Sequence, residues 1–179
     1  MTENSLMRLW FMRAMFVVLS GAVIFVHLVP LQTTPARWPT PDLLLVLGFA
    51  WALRRGEFVP PALFALVMLF ADLIFDRPPG LYAALALIAL EMLKARAGKL
   101  RDMPFTVEWA SAGMAIIAVI LLYRLILATL IIEHFSFALA LGQTVLTILC
   151  YPVVIGFSYV FFRLTKPVLG EVNALGQRL

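Results

Sequence analysis

A chain of 179 residues that is 63% hydrophobic and only 13% charged, with a mean hydropathy of +0.99, lies far from the balance of a soluble domain and reads as an integral membrane protein. In a soluble chain the net charge of +4 and pI of about 9.6 would suggest nucleic acid; here the excess belongs to flanks that face anionic lipid headgroups, and no nucleic-acid role is read. Cys150 is the single cysteine and sits in an apolar stretch, so an intramolecular disulfide and a thiolate metal site are excluded and packing is its expected role.

Apolar stretches at about 9–29, 42–54, 60–75, 80–93, 107–132 and 137–162 predict an all-α membrane protein with six transmembrane helices of uneven length in a single domain over 1–179. Basic residues resist translocation, and their placement orients the chain. With the N-terminus in the cytoplasm, Arg8, Arg13, Arg54, Arg55, Lys94, Arg96, Lys99, Arg101, Arg163, Lys166 and Arg178 all fall on cytoplasmic flanks. Arg37 and Arg77 alone fall outside, and Arg124 lies within a span. Both termini are therefore expected inside.

The first segment has a basic start, Arg8 and Arg13, and an apolar body that ends at Pro30 without a small-residue cleavage site, so it is expected as an uncleaved first helix with Trp10 at its inner end. Residues 30–41 include Pro35, Trp38 and Pro39 and predict an extended external loop. Asp42 follows Pro41 at the start of the second segment, where a carboxylate accepts from unpaired helix N–H groups; capping is its first reading and a functional role its second.

The second, third and fourth segments are each short for a crossing. Two readings compete: full crossings helped by flanking residues, bilayer thinning or burial among longer neighbours, and a re-entrant hairpin surrounded by protein. Full crossings are favoured, because a re-entrant second segment would place Arg54 and Arg55 outside. Gly48, Ala52 and Gly56 recur every fourth residue and give the second helix a nearly bare face, suited to close contact within the chain or, as a second reading, with a partner subunit.

Asp76-Arg77-Pro78-Pro79-Gly80 predicts a tight external turn between the third and fourth segments. Glu91 and Lys94 stand three apart on one helix face and are expected to pair. The stretch 94–105 is expected as the longest internal loop, followed by Trp109 at the inner interface. A short external loop at 133–136 joins the last two segments, and a polar tail too short to fold alone follows residue 166.

Two charges inside apolar segments are the best local signals. A charge within a span normally turns inward and finds a partner. Asp72 and Arg124 both fall in the outer half and are expected to share an ion pair or polar network, with Tyr123 or Gln143 taking part; the alternative is that Arg124 snorkels outward. His27 and His134 lack carboxylate or cysteine partners at ligand spacing, and no H-E-x-x-H, Walker lysine loop or aspartate cluster is present, so no catalytic residue, metal or cofactor is expected.

The Trp-Pro-Thr-Pro-Asp segment at 38–42, the Phe-Ala-Asp-Leu-Ile-Phe-Asp-Arg-Pro-Pro-Gly run at 70–80, the Arg-Asp-Met-Pro-Phe and Glu-Trp-Ala segments within 101–110 and the ending Gly-Glu-Val-Asn-Ala-Leu-Gly-Gln-Arg-Leu resemble the MreD family of rod shape-determining proteins, in its alphaproteobacterial form, over essentially the whole chain. Where many members of that family have glycines before the aspartate of the third segment, this chain has Leu69-Phe70-Ala71-Asp72. The resemblance implies a non-catalytic scaffold of the cell-elongation machinery in the bacterial inner membrane. It would bind MreC directly and reach MreB, RodA and its penicillin-binding transpeptidase through the complex, with membrane lipids around it. It also implies a fold like the substrate-binding subunits of energy-coupling factor transporters. That likeness supplies the alternative, a vitamin-type transporter subunit, although the Ala-xxx-Ala coupling pair is missing from the first segment. The candidate partner-contact face comprises Trp38, Gly48, Ala52 and Gly56.

Overall fold

A computed structural model describes residues 3–28, 40–100, 102–130 and 137–164. Six α-helices fill them: α1 (Glu3–Leu28), α2 (Leu43–Arg55), α3 (Pro61–Ile74), α4 (Leu81–Leu100), α5 (Phe105–Thr129) and α6 (Phe137–Phe162), with one 3₁₀ turn, Gly56–Phe58, after α2. No strand occurs among the described residues. Three helices are long and apolar enough to cross a membrane, within Leu6–Leu28, Phe105–Thr129 and Ala138–Phe162. The six apolar stretches thus correspond to six helices, three of which meet the length and composition of a span.

At the centre is the shortest helix. α2 is apolar on every side, and Leu44 through Leu53 are buried without exception. Around it stand α1, which sets Phe16 against Trp51; α3, whose Phe64 ring covers Gly48; α4 and α5; and α6, which sets Phe162 against Trp51. Trp51 also donates its indole N–H to Ser158 Oγ of α6 at 3.0 Å, so the largest side chain of α2 is buried with its polar atom satisfied.

The contacts fix the helix directions. Along α2 from Asp42 to Arg54, the partners on α6 advance from Thr147 through Ser158 to Leu164, so the two helices run parallel. α4 is also parallel to α2, meeting Asp42 with Tyr82 and the end of the 3₁₀ turn with Lys94. α5 is antiparallel, with Glu108 beside Arg54 and Tyr123 stacked edge-on to Tyr82. Successive helices therefore alternate, and polar side chains collect at two levels, the Asp42 end and the Arg54 end.

Helix ends depart most from the apolar boundaries at the start of α1, which begins at Glu3, and at the end of α4. The expected loop at 94–105 is largely helical, because α4 continues to Leu100. Apart from Gly98, residues 94–100 are Lys, Arg, Ala and Leu, which favour helix whether or not the surroundings are apolar. Within α6, Pro152 lacks the N–H that would bond the carbonyl of Ile148, and Trp109 Nε1 of α5 supplies a donor to that oxygen at 2.9 Å.

Candidate functional site

Asp42 organises one end of the bundle. Its Oδ1 accepts from Leu45 N–H at 3.1 Å, the N-cap read from the sequence. Its Oδ2 accepts from the Tyr82 hydroxyl at 2.7 Å and lies 3.7 Å from Arg77 Nη1, and its own N–H donates to Thr147 Oγ1 at 3.0 Å. One residue thereby joins α2, α4, α6 and the α3–α4 turn. Arg77 lies over the rings of Tyr82 and Phe75, at 4.5 and 5.3 Å from their centroids. Burial works against its charge, and the surrounding acidic groups, the Asp42 carboxylate foremost, together outweigh that and hold the guanidinium above its ordinary pKa.

The turn that carries Arg77 is built for the purpose. Asp76 and Gly80 both have positive φ, 51° and 84°, a conformation that Asp tolerates and Gly favours. Arg77 N–H donates to the carbonyl of Asp72 at 3.0 Å, closing α3, while Asp72 Oδ2 accepts from Ala83 N–H at 3.0 Å in the first turn of α4. Asp72 is fully buried and thus acts as a clasp between the end of α3 and the start of α4.

The expected pairing of Asp72 with Arg124 takes another form. The guanidinium acting on Asp72 is that of Arg77, and Arg124, half-buried near the end of α5, acts with Arg77 and Asp72 on Tyr123. Tyr123 has all three charges acting on it, whereas Gln143 lines a cavity beside Asp42 and accepts the Thr147 hydroxyl at its backbone carbonyl, 2.6 Å away. Arg77 was overlooked as a network residue. Its signal was present: in the orientation expected from the sequence Arg77 is one of two cations on the outer side, and such a cation needs a local reason to be there.

The opposite end is ionic as well. Arg54 Nε lies 3.5 Å from Glu108 Oε1, which also accepts from Tyr151 OH at 3.2 Å, and Arg54 Nη1 donates to the carbonyl of Leu164 at 3.4 Å. Arg13 reaches the Glu57 carbonyl with two nitrogens, both at 3.2 Å, and Arg55 lies 3.7 Å from the Glu57 carboxylate. Lys94 donates to Val59 O at 2.6 Å and to Glu91 at 2.9 Å, which is the expected i,i+3 pair.

The small-residue face is occupied by the chain itself. A Cβ on Gly48 would run into the Phe64 ring, Ala52 is buried, and Lys94 lies along Gly56. Gly48 and Ala52 are thereby corrected from a partner-contact face to the first reading, contact within the chain: Gly48 makes room for the Phe64 ring of α3, and Ala52 is buried in the core. Gly56 is half-buried against Lys94, and Trp38 lies outside the described residues.

The cavity beside Asp42 is also lined by Val23, His27, Phe75 and Arg77, and its volume of about 10 Å³ is on the scale of one water. His27 packs against Phe75, ring centroids 5.1 Å apart, and His134 lies outside the described residues. Among the described residues no cluster of three or more His, Cys, Asp or Glu side chains is placed to hold a metal ion. What the arrangement does chemically is join helix ends: Arg13, Asp42, Arg54, Asp72 and Lys94 each bond to a neighbouring element. No family model, curated protein or solved structure matches the chain.

Proposed function

We propose that this protein is a non-catalytic membrane scaffold of the bacterial cell-elongation machinery, an MreD-type subunit that crosses the inner membrane six times with both termini in the cytoplasm and maintains rod shape by binding MreC. MreB, RodA and its penicillin-binding transpeptidase are engaged through that complex. The observation that carries the proposal is the meeting of two segments on which the resemblance to MreD rests. The lead-in ending at Asp42 and the run at 70–80 lie far apart in sequence, yet they join at the Asp42–Arg77 contact. Alternating helix directions support six crossings, since they bring the basic ends of α2 and α4 to one side together with Arg13.

The fold likeness to energy-coupling factor substrate-binding subunits belongs to the same proposal. The transporter reading draws less support, because the cavity beside Asp42 is water-sized and its charged lining residues already bond to one another. In the test, the chromosomal gene is depleted while vitamin uptake and cell shape are followed, and the tagged full chain is purified from the same strain. Spherical cells with normal uptake, and recovery of MreC with the chain, are the expected results. Cells that stay rod-shaped, or a purified chain carrying a vitamin and an ATPase partner, would overturn the proposal.

A further inference from the structure

The apolar surface of the bundle is uneven in height. α3 and α4 pack side by side and turn Leu66, Phe70 and Leu73, then Ile88 and Met92, outward. This face is bounded at one end by the exposed Asp76 and by Arg77, and at the other by Glu57, the exposed Glu91 and Lys94. The 14 residues of α3 rise about 21 Å, and the stretch of α4 from Leu81 to Glu91 rises about 15 Å. α6 differs. It exposes apolar side chains from Leu141 to Phe161 with no charged residue between them, a rise of about 30 Å and the thickness of a bilayer's hydrocarbon.

Hydrogen bonds set both faces on one scale. Asp42 N–H on Thr147 and Asp72 on Ala83 place the ends of α2, α3 and α4 level with Thr147 of α6. Leu141 lies six residues farther along α6, about 9 Å beyond that level. A flat bilayer fitted to α6 would bury Asp76 and Arg77 in hydrocarbon, at high cost for charged groups. A flat bilayer fitted to α3 would expose the apolar end of α6 to headgroups and water.

We propose that the α3–α4 face thins the bilayer beside it, drawing the outer-leaflet headgroups down to the level of Arg77, while α6 holds the full thickness on its own side. The ligand of this face is phospholipid, with short acyl chains favoured over long ones. The inference rests on the six-crossing part of the proposed function and is independent of MreC.

The test uses the full chain carrying Cys150→Ser, reconstituted in phosphatidylcholine vesicles with 18-carbon monounsaturated chains. Spin labels are placed at Leu73→Cys of α3 and Val145→Cys of α6, two exposed positions close to one level. Ala84→Cys and Leu149→Cys form a second pair should either of the first not fold. Depth is read from the balance of collisions with oxygen and with a water-soluble nickel chelate. The α3 label should lie shallower than its α6 counterpart by about 5 Å, one helical turn, and collide several-fold more with nickel. The gap should shrink in 14-carbon lipid and widen in 22-carbon lipid. Equal depths through the series would overturn the thinning. Labelling by an impermeant maleimide separates the two levels of the argument: Pro79→Cys should react from outside and Lys99→Cys only after permeabilisation. Reaction of both from one side would overturn the six crossings and the thinning together, whereas opposite sides with equal depths would overturn the thinning alone.

Discussion

At one end of α2 a single carboxylate gathers its neighbours, and at the other several cations are dispersed among them. The Asp42 carboxylate caps its own helix, accepts from Tyr82 and faces Arg77, and the backbone N–H of the same residue anchors to Thr147, so four elements meet at one residue and three of them depend on its side chain. At the Arg54 end, Arg13, Arg54, Arg55 and Lys94 divide the task, and three of them bond to backbone carbonyls as well as, or in place of, carboxylates. The difference teaches where the fold concentrates its risk. A hub fails at once when its centre is removed. A dispersed set loses one strut at a time.

Asp42→Ala is accordingly the most damaging change expected. It removes a cap, a buried hydroxyl contact and the charge opposite Arg77; stranding one member of a buried pair costs about 3–5 kcal/mol, and the lower end applies because Arg77 keeps some exposure. Asp42→Asn retains the capping oxygen and should lose about half as much. Unfolding of the purified protein in detergent measures both. An Asp42→Ala variant as stable as the parent would remove the hub from the comparison.

Glu108→Ala tests the dispersed end. The carboxylate is buried against Arg54 and Tyr151, but Arg54 keeps the Leu164 carbonyl as a second acceptor, so the loss should be about 1.5–3 kcal/mol, below that of Asp42→Ala. Paired measurements decide the ranking. Should Glu108→Ala match or exceed Asp42→Ala in the same detergent, the Arg54 end would be a hub too and the contrast would vanish.

How far these two ends were legible beforehand depends on whether the partners were local. The Asp42 cap follows from a carboxylate placed before an apolar run, and the Glu91–Lys94 pair follows from spacing on one helix. The Asp42–Arg77 contact and the Arg54–Glu108 contact join residues that no local pattern links, so a single sequence cannot match them. For the same reason Arg124 looked like the natural partner of Asp72, when the turn immediately after α3 already supplied a cation. Apolar boundaries mark a change of surroundings and not the end of a helix, which is why α4 outruns its apolar stretch. α2 shows the converse, since its uniform apolarity reflects burial on all sides at a length short for a span.

A smaller effect is expected between the two ends, where Trp109 serves the carbonyl left open by Pro152. Trp109→Phe should cost about 1 kcal/mol in detergent through the lost hydrogen bond. In a Pro152→Ala background an amide N–H becomes available to Ile148 O, so the same substitution should cost less there. A double-mutant cycle with no coupling between the two sites would show that the indole N–H is not answering the proline.

The smallest change concerns the rim of the dispersed end and limits how far the comparison reaches. Glu91 is about half exposed, and its contact with Lys94 resembles other surface pairs worth at most about 1 kcal/mol. Lys94 also bonds the Val59 carbonyl, so removing the carboxylate leaves the ammonium with its stronger anchor. Glu91→Gln should therefore shift stability by less than about 0.5 kcal/mol, and Lys94→Met by more, because only the latter gives up the link from α4 to the 3₁₀ turn. Equal losses from the two substitutions would mean that the ion pair, and not the carbonyl contact, ties α4 to the Arg54 end.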